Sequence, residues 1–183
     1  MRIIAGSAKK RVLKVPAGWT GRPTADRVKE SLFNILGNSV IGCNFLDLFA
    51  GTGNVGIEAL SRGALKAVFV EKDRLAATAI RQNIKLTGFE NNSKVIIKDV
   101  YTSLAELKEM RETFNLVFLD PPYGKGFEIP VINTLVNLDL LASDGILVAE
   151  SSKRETMPPE ITNIKLIRQE RYGDTMLSFY KLT

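Results

Sequence analysis

The segment LDPPYG, residues 119–124, places an acid, two prolines and an aromatic directly after the apolar run FNLVFLD. Proline has no backbone N–H, so two prolines in succession end a strand and leave a group dominated by hydrogen-bond acceptors. The Asp120 carboxylate and the Pro121 carbonyl can then accept both hydrogens of one amino group, while the Tyr123 ring can stack on a planar ring. The segment therefore favours a site for an amino group on a heterocycle. A Pro-Pro turn that only ends the strand is the alternative interpretation.

A second segment that could form part of a binding site is LDLFAGTGNVG. Its Gly51, Gly53 and Gly56 match G-x-G-x-x-G between a predicted strand and a predicted helix. Glycines permit a tight turn and a close approach to a ligand, and free N–H groups at a helix start favour an anionic group. Asp47, inside the preceding strand, adds weight because a buried acid needs a polar partner. A nicotinamide dinucleotide site or a purely structural turn would have the same pattern.

Two further acids lie at the ends of predicted strands. Glu71, in VFVEKD, follows Gly53 by 18 positions and is placed to accept hydrogen bonds from both hydroxyls of a ribose. We assign the neighbouring Asp73 to the cap of the next helix. Asp99, in IIKDV, is placed to accept from an exocyclic amino group such as that of adenine. A solvated strand end or a helix cap explains Asp99 equally well.

These segments fall within an alternation of strands and helices that begins near residue 44. The apolar runs are continuous, which is typical of parallel strands covered on both faces, and such sheets bind ligands beyond the carboxyl ends of their strands. Residues 163–183 are predicted to form two antiparallel strands around a Gly-Asp turn. Upstream, the stretch ADRVKESLFNIL is predicted to be a helix with Thr24 as its N-cap. The whole pattern predicts one doubly wound α/β domain.

Composition excludes several kinds of catalysis. The chain of 183 residues contains no histidine and one cysteine, Cys43, so it cannot form a Ser-His-Asp triad, a Cys-His pair or an ordinary zinc site. Its start has no apolar stretch long enough for a signal peptide, and no transmembrane span is predicted. We expect a cytoplasmic protein whose chemistry uses carboxylates, amides, backbone groups or a cofactor.

Charge is unevenly distributed along the chain. Residues 1–30 hold eight basic and two acidic side chains, whereas the other 153 residues hold 17 basic and 18 acidic ones. This asymmetry indicates an N-terminal arm that binds a polyanion. An ordinary solvated basic terminus is the alternative.

In their order and spacing, these motifs resemble the Rossmann-like class I S-adenosylmethionine-dependent methyltransferases, specifically the amino-methylating group that carries D/N-P-P-Y/F. Over nearly the whole chain, the segments RIIAG, RPTADRVKESLFNIL, DLFAGTGNVGIEALSRGA, DPPYG and RYGDT resemble the RsmD family. Members of that family methylate the exocyclic amino group of one guanine in small-subunit ribosomal RNA. The segment GSAKKRVLKV departs from the Gly/Arg-rich version that is usual there, so the RNA contacts of the arm are less well defined by the resemblance.

The resemblance implies a mostly parallel seven-stranded sheet with a C-terminal antiparallel hairpin. It implies a basic N-terminal β-hairpin extension over residues 1–23 and a methyltransferase domain over residues 24–183. The implied cofactor is S-adenosylmethionine, with S-adenosylhomocysteine as product and no metal. The implied reaction methylates N2 of a guanine in 16S ribosomal RNA, free or within an assembled small subunit. We expect a monomer that does not bind membranes.

The residues and the resemblance together assign three groups of functional residues. The catalytic group is Asp120, Pro121, Pro122 and Tyr123. The cofactor-binding group is Asp47, Phe49, Gly51, Thr52, Gly53, Glu71, Lys72, Asp99, Val100 and Asp120. The RNA-binding group is Lys9, Lys10, Arg11, Arg22 and Arg27.

Other activities are compatible with the same residues. An amino-methyltransferase that acts on adenine in DNA or on glutamine in protein can carry the same acceptor motif. A nicotinamide-dependent dehydrogenase would share the glycine-rich loop but gives no reason for DPPY. A non-catalytic RNA-binding module would explain the basic arm and nothing at the ends of the strands.

Overall fold

The structure, a computed structural model, describes residues 1–19, 21 and 24–183. Its helices are α1 (Asp26–Leu36), α2 (Asn54–Ser61), α3 (Arg74–Thr87), α4 (Val100–Glu109) and α5 (Glu128–Asn137). Its strands are β1 (Asn44–Leu48), β2 (Lys66–Val70), β3 (Ser93–Ile96), β4 (Phe114–Leu119), β5 (Leu141–Ser152), β6 (Glu160–Ile161), β7 (Ile164–Tyr172) and β8 (Thr175–Leu182). Among the described residues, no helix has the length and apolar character that spanning a membrane requires.

The strands form a single sheet in the order β3-β2-β1-β4-β5-β8-β7-β6. Strands β1 to β5 are parallel, and β8, β7 and β6 add to the β5 edge in antiparallel pairing. The predicted mostly parallel sheet with a terminal antiparallel hairpin is thus confirmed. Over the described residues, the sheet has eight strands where seven were predicted, and the additional strand, β6, is only two residues long, too short for a sequence pattern to reveal. Because the chain runs outward from β1 in one direction and then returns to β4, the carboxyl ends of β1 and β4 flank the switch point of the sheet.

Alternate residues of the central strands enter two separate apolar clusters. Phe45 and Phe69 pack with buried residues of α1, α2 and α3 on one face. Leu46 and Val68 pack with buried residues of α4 and α5 on the other face. Coverage of both faces explains why these strands are continuously apolar in sequence.

The N-terminal arm folds back on itself and packs on the body. An antiparallel bridge joins Arg2 to Val12, and the Ile3 N–H donates to the Arg11 carbonyl at 2.9 Å. Ile3 and Leu13 are buried in the same apolar cluster as α1 to α3. The predicted hairpin is therefore present as a short pairing, and its apolar side chains belong to the main core.

A buried group of charges fixes the arm to two helices. The Glu58 carboxylate on α2 accepts from the Ile4 and Ala5 N–H groups at 2.8 and 3.0 Å and from Arg62 Nε at 2.8 Å. Lys29 Nζ on α1 lies 3.3 Å from Glu58 and donates to the Arg2 carbonyl at 2.7 Å. Burial lowers the pKa of Lys29, while the Glu58 charge opposes that shift. Because each charge has partners, this group can hold the arm, α1 and α2 together.

The ends of two helices test the predicted caps. Asp73 accepts from the Ala76 N–H at 2.8 Å, so its assignment as the cap of α3 is confirmed. The prediction for α1 was wrong, because its N-cap is Ala25 and no side chain caps that helix. The Thr24 hydroxyl instead faces the carboxylates of Asp120 and Glu150, at 3.5 and 3.4 Å. Carboxylates are stronger acceptors than a neutral partner, which gives the hydroxyl an alternative to capping.

Candidate active site

A cavity of about 440 Å³ lies at the carboxyl ends of the parallel strands. Its walls include the glycine-rich loop after β1, residues 120–123 after β4 and Glu150 near the end of β5. Trp19 and Gly21 of the N-terminal segment close another side. The volume falls within the roughly 300 to 1,000 Å³ of small-molecule sites. The cavity also occupies the switch point where this fold class binds its ligands.

Two carboxylates hold the glycine-rich loop in place. The Gly56 N–H donates to Asp47 Oδ2 at 2.8 Å, and the Gly51 N–H donates to Glu71 Oε2 at 2.8 Å. A Cβ at position 56 would lie 2.4 Å from the Phe69 ring, so only glycine fits there. Burial raises the pKa of Asp47 to about 7, although the Gly56 hydrogen bond opposes the shift. The side chains of Asp47, Glu71 and Phe69 therefore fix the conformation of the loop.

The cavity wall next to this loop is formed by Phe49, Glu71 and Lys72. Phe49 has a φ of +60°, a conformation that costs a non-glycine residue free energy and persists only where its surroundings enforce it. Glu71 is half-buried, and its second oxygen accepts from the Asp73 N–H at 2.8 Å. Burial raises the pKa of Glu71, against the hydrogen bonds from Asp73 and Gly51. An acid in this position can accept hydrogen bonds from a bound polyol.

Across the cavity, Asp120 and Glu150 stand close to the same hydroxyl. Thr24 has one hydroxyl hydrogen for two carboxylate oxygens, so it donates to one of them at a time. The pKa of Asp120 is raised well above its ordinary value by burial, with further contributions from the charges of Glu150 and Asp47. Like-charged carboxyls that share a site hold protons more tightly than isolated ones.

The loop after Asp120 is anchored by two acids of the β5 region. The Tyr123 hydroxyl donates to Glu150 Oε1 at 3.0 Å, and burial raises the pKa of that hydroxyl, so it stays protonated. Glu155 accepts from the Gly124 N–H and from the Ser152 N–H, each at 2.7 Å. Tyr123 is 38% exposed and lines the cavity. The loop therefore presents an aromatic face while its backbone is tied to β5.

The cavity brings together most of the residues predicted from the sequence. The predicted residues that line it are Asp47, Phe49, Gly51, Thr52, Glu71, Lys72, Asp120, Pro121, Pro122 and Tyr123. Gly53 is the residue before α2, at the far end of the same loop.

Asp99 and Val100 are not among the lining residues. Asp99 accepts from the Tyr101 and Thr102 N–H groups, each at 3.1 Å, and Val100 is buried in the apolar cluster of α4 and α5. The structure confirms Asp99 as the cap of α4, and its predicted contact with an exocyclic amino group stays a prediction.

The predicted RNA-binding residues lie outside the cavity. The side chains of Lys9, Lys10, Arg11 and Arg27 are exposed. Arg22 is outside the described residues. The exposed members are accessible to a macromolecule without any rearrangement of the core.

Sequence reasoning missed several residues of the cavity, namely Trp19, Thr24, Asn54, Glu150 and Thr175. Glu150 ends an apolar strand as Glu71 and Asp120 do, so the same strand-end argument would have found it. Trp19 comes from the N-terminal segment, and no local pattern marks it; Thr175 is the first residue of β8 and the last of the RYGDT segment, which sequence reasoning did not connect to the site. Glu155, which anchors the loop after Asp120, likewise has no signature in the local sequence.

Comparison with known proteins agrees with this geometry. A family model described as "Conserved hypothetical protein 95" matches residues 1–181. Ribosomal RNA small subunit methyltransferase D of Escherichia coli K12 is 34% identical over 181 residues, covering 99% of this chain and 89% of that protein. The protein of the same name from Haemophilus influenzae is 32% identical over 182 residues, covering 99% of this chain and 93% of that protein. The chain belongs to the RsmD family of methyltransferases.

Another relative and two solved structures extend the comparison. YlbH of Bacillus subtilis is 39% identical over 182 residues and covers 99% of this chain and 98% of its own. A structure from Thermus thermophilus has a TM-score of 0.86 and 32% identity, covering 100% of this chain and 99% of that one. The structure of SMU.776, solved with SAH, has a TM-score of 0.72 and 13% identity over 87% of this chain and 50% of that one, and it shares the fold. The RsmD fold thus occupies essentially the whole chain.

Proposed function

We propose that this protein transfers a methyl group from S-adenosylmethionine to the exocyclic N2 amino group of a guanine in 16S ribosomal RNA. The observation that carries the proposal is the meeting of two kinds of group in one cavity. Glu71 and the glycine-rich loop form one side, and Asp120, Pro121 and Tyr123 form the other. The names of the E. coli and H. influenzae relatives support ribosomal RNA of the small subunit as the substrate.

The cofactor fits the side of the cavity formed by Glu71 and the glycine-rich loop. S-adenosylmethionine supplies a methyl group on a sulfonium, which leaves as a neutral thioether, so no covalent enzyme intermediate is required. Glu71 would accept hydrogen bonds from the ribose hydroxyls, as its half-buried carboxylate at the cavity wall permits. Phe49, Gly51, Thr52 and Lys72 line the same side and would contact the rest of the nucleoside.

The acceptor side has to overcome the delocalisation of the amino lone pair into the guanine ring. Asp120 and the Pro121 carbonyl would each accept one amino hydrogen, which makes the nitrogen more pyramidal and directs its lone pair toward the methyl donor. Tyr123 would stack on the base once it leaves its neighbours in the RNA. Positioning and electrostatics then account for most of the rate.

Methylation of the nitrogen must be followed by loss of one of its protons. Asp120 is the candidate acceptor, because its raised pKa makes its carboxylate a stronger base than an exposed aspartate. Occupation of the cavity by a cationic donor would favour the ionised form of Asp120 before transfer. Glu150 accepts a hydrogen bond from the Tyr123 hydroxyl and would keep that ring and the adjoining loop in position.

A labelling experiment tests the proposal directly. The protein is incubated with methyl-labelled S-adenosylmethionine and, separately, with ribosomal RNA, assembled small subunits, DNA and protein. The modified product is then digested and identified. We expect label in N2-methylguanine from ribosomal RNA or small subunits, and the comparison of those two samples shows which form is the substrate. Label confined to DNA adenine or to protein would exclude the guanine assignment.

A further inference from the structure

A row of basic side chains runs along the exposed face of α3. Arg74, Arg81 and Lys85 are separated by seven and four residues, which places them on one face of a helix. All three are exposed, and within the described part of the chain none of them makes an ion pair. The row extends about 17 Å along the helix axis at 1.5 Å per residue. These charges are therefore available to an external anion.

A groove of about 270 Å³ lies beside this row, between α3 and the N-terminal segment. Lys14, Val15 and Pro16 line one side of it, and α3 contributes the residues Leu75, Thr78, Ala79 and Gln82. On a helical wheel, Thr78 and Gln82 lie beside the basic row, and Leu75 and Ala79 lie farther around the helix. The groove thus has Lys14 on one flank and the α3 cations on the other.

Asn83 fixes the geometry of the groove. Its fully buried side chain accepts from the Lys14 N–H at 2.7 Å and donates to the Lys14 carbonyl at 3.0 Å. It also donates to the carbonyl of Thr52, in the glycine-rich loop, at 3.0 Å. The arm, α3 and the wall of the active-site cavity are therefore held by one side chain.

The row also leads to the mouth of that cavity. Arg74, the first residue of α3, follows Lys72, which lines the cavity, by two positions. The arm, which lines the other side of the groove through Lys14, also carries the exposed Lys9, Lys10 and Arg11. Exposed cations therefore lie on the arm, along α3 and beside Lys72 at the rim of the cavity.

We propose that α3 and the arm form a phosphate-binding track that holds the RNA strand flanking the target guanine. This inference rests on the proposed RNA substrate and adds α3 to the binding surface. Ile80 and Ile84 of α3 face the protein core, whereas Leu75 and Leu86 are exposed, so an anionic membrane surface is the competing occupant that the test below separates from RNA. Phosphates spaced along one strand match cations spaced along one helix face, and each contact releases counterions.

The test compares two variants that lose the same charge. Arg81→Gln with Lys85→Gln removes two cations of the track and retains good helix formers. Lys165→Gln with Lys181→Gln removes two exposed cations that face each other across β7 and β8, at the opposite end of the sheet. RNA affinity is measured over a salt series. We expect the α3 variant to flatten the slope of log affinity against log salt by roughly 0.7 to 0.9 for each phosphate that it no longer binds.

Three further readouts separate the possible failures. S-adenosylmethionine affinity, measured by calorimetry, should be the same in the parent and in both variants. If the parent methylates RNA but the α3 variant keeps the parent's salt slope, or the β7–β8 variant flattens it equally, the track is wrong and the proposed function stands. If the parent neither binds nor methylates RNA, both proposals are wrong. The track would also be wrong if the parent bound phosphatidylglycerol vesicles and the α3 variant lost that binding while its RNA binding stayed unchanged.

Discussion

Two groups of buried ionisable side chains differ in how their charges are arranged. In the group beneath the arm, Lys29 and Arg62 surround Glu58, and every carboxylate oxygen meets a cation or a backbone N–H. The group around the cavity consists of the carboxyls of Asp47, Asp120 and Glu150. Burial raises the pKa of Asp120, and the charges of Glu150 and Asp47 raise it further. The first group joins opposite charges, whereas the second brings like charges together.

This difference separates a structural role from a chemical one. Buried opposite charges satisfy each other and can fix the relative position of segments, although they add little net stability over apolar packing. Like-charged carboxyls in a cleft cost stability, and such perturbed groups concentrate where proteins bind and transform ligands. The arrangement alone predicts that changes in the first group damage folding and changes in the second group damage catalysis.

The largest expected effect is on catalysis, at the cavity. Asp120→Ala should lower methyl transfer by about 1,000-fold, because it removes an acceptor for the amino group and the candidate base. It should leave S-adenosylmethionine binding largely intact, whereas Glu71→Ala should weaken that binding. Calorimetry and labelled methyl transfer on both variants measure the two effects. Equal loss of cofactor binding in the two variants, with the fold intact, would show that the division of roles is wrong.

The next effect is on folding, beneath the arm. Lys29→Met should lower the free energy of unfolding by about 3 kcal/mol or more, because Glu58 then stays buried with one cation fewer. Lys66→Met is the matched control, since Lys66 pairs with Glu112 at a partly exposed site and should cost at most about 1 kcal/mol. Denaturant unfolding of both variants gives the comparison. Similar losses in the two variants would remove the distinction between buried and exposed pairs.

A smaller effect is expected from Glu155, which joins the loop after Asp120 (residues 121–124, the acceptor loop) to β5. Glu155→Ala should raise KM for RNA about tenfold, as expected for the loss of hydrogen bonds to a charged acceptor, while cofactor affinity stays constant. Glu155→Gln keeps one acceptor and should be intermediate. Glu160→Ala, an exposed acid on β6, serves as control. A change in kcat alone, with KM for RNA unaltered, would show that Glu155 does not position the acceptor loop.

The smallest effect concerns the pH dependence of stability. Because the folded-state pKa of Asp120 is raised, its contribution to stability is complete below its ordinary pKa and is lost as pH rises through the raised value. Asp120→Asn removes this loss, so its Tm relative to the parent should increase as pH rises above about 5, since the ordinary pKa of an aspartate is about 4.

Asp174 provides a control of opposite sign for that measurement. Lys153 lowers the pKa of Asp174, so Asp174 stabilises above its ordinary pKa and its contribution is lost only at lower pH. The Tm difference of Asp174→Asn should therefore stay flat over the same range. A flat Tm difference for Asp120→Asn as well would mean that the Asp120 pKa is not raised.

Much of the fold followed from local pattern. The parallel strands, the helix cap at Asp73 and the terminal hairpin each have a signature within a few residues, because backbone turns and burial on both faces act locally. Thr24 shows where such reasoning fails. A threonine before a helix predicts an N-cap, but the approach of Asp120, 96 positions away in the chain, gives its hydroxyl another acceptor.

The sequence by itself determined the chemistry available to this protein. With no histidine and one buried cysteine, the groups that remain at the strand ends are carboxylates, the glycine-rich loop and the acceptor motif DPPY. Only the tertiary structure decided which of these groups meet. It joins Asp120 to Glu150 and Thr24, ties Gly124 to Glu155 and leaves Asp99 on a helix cap outside the cavity. The physical reason is that sequence spacing constrains neighbours along the chain, whereas the order of the strands in the sheet determines which of their ends are adjacent.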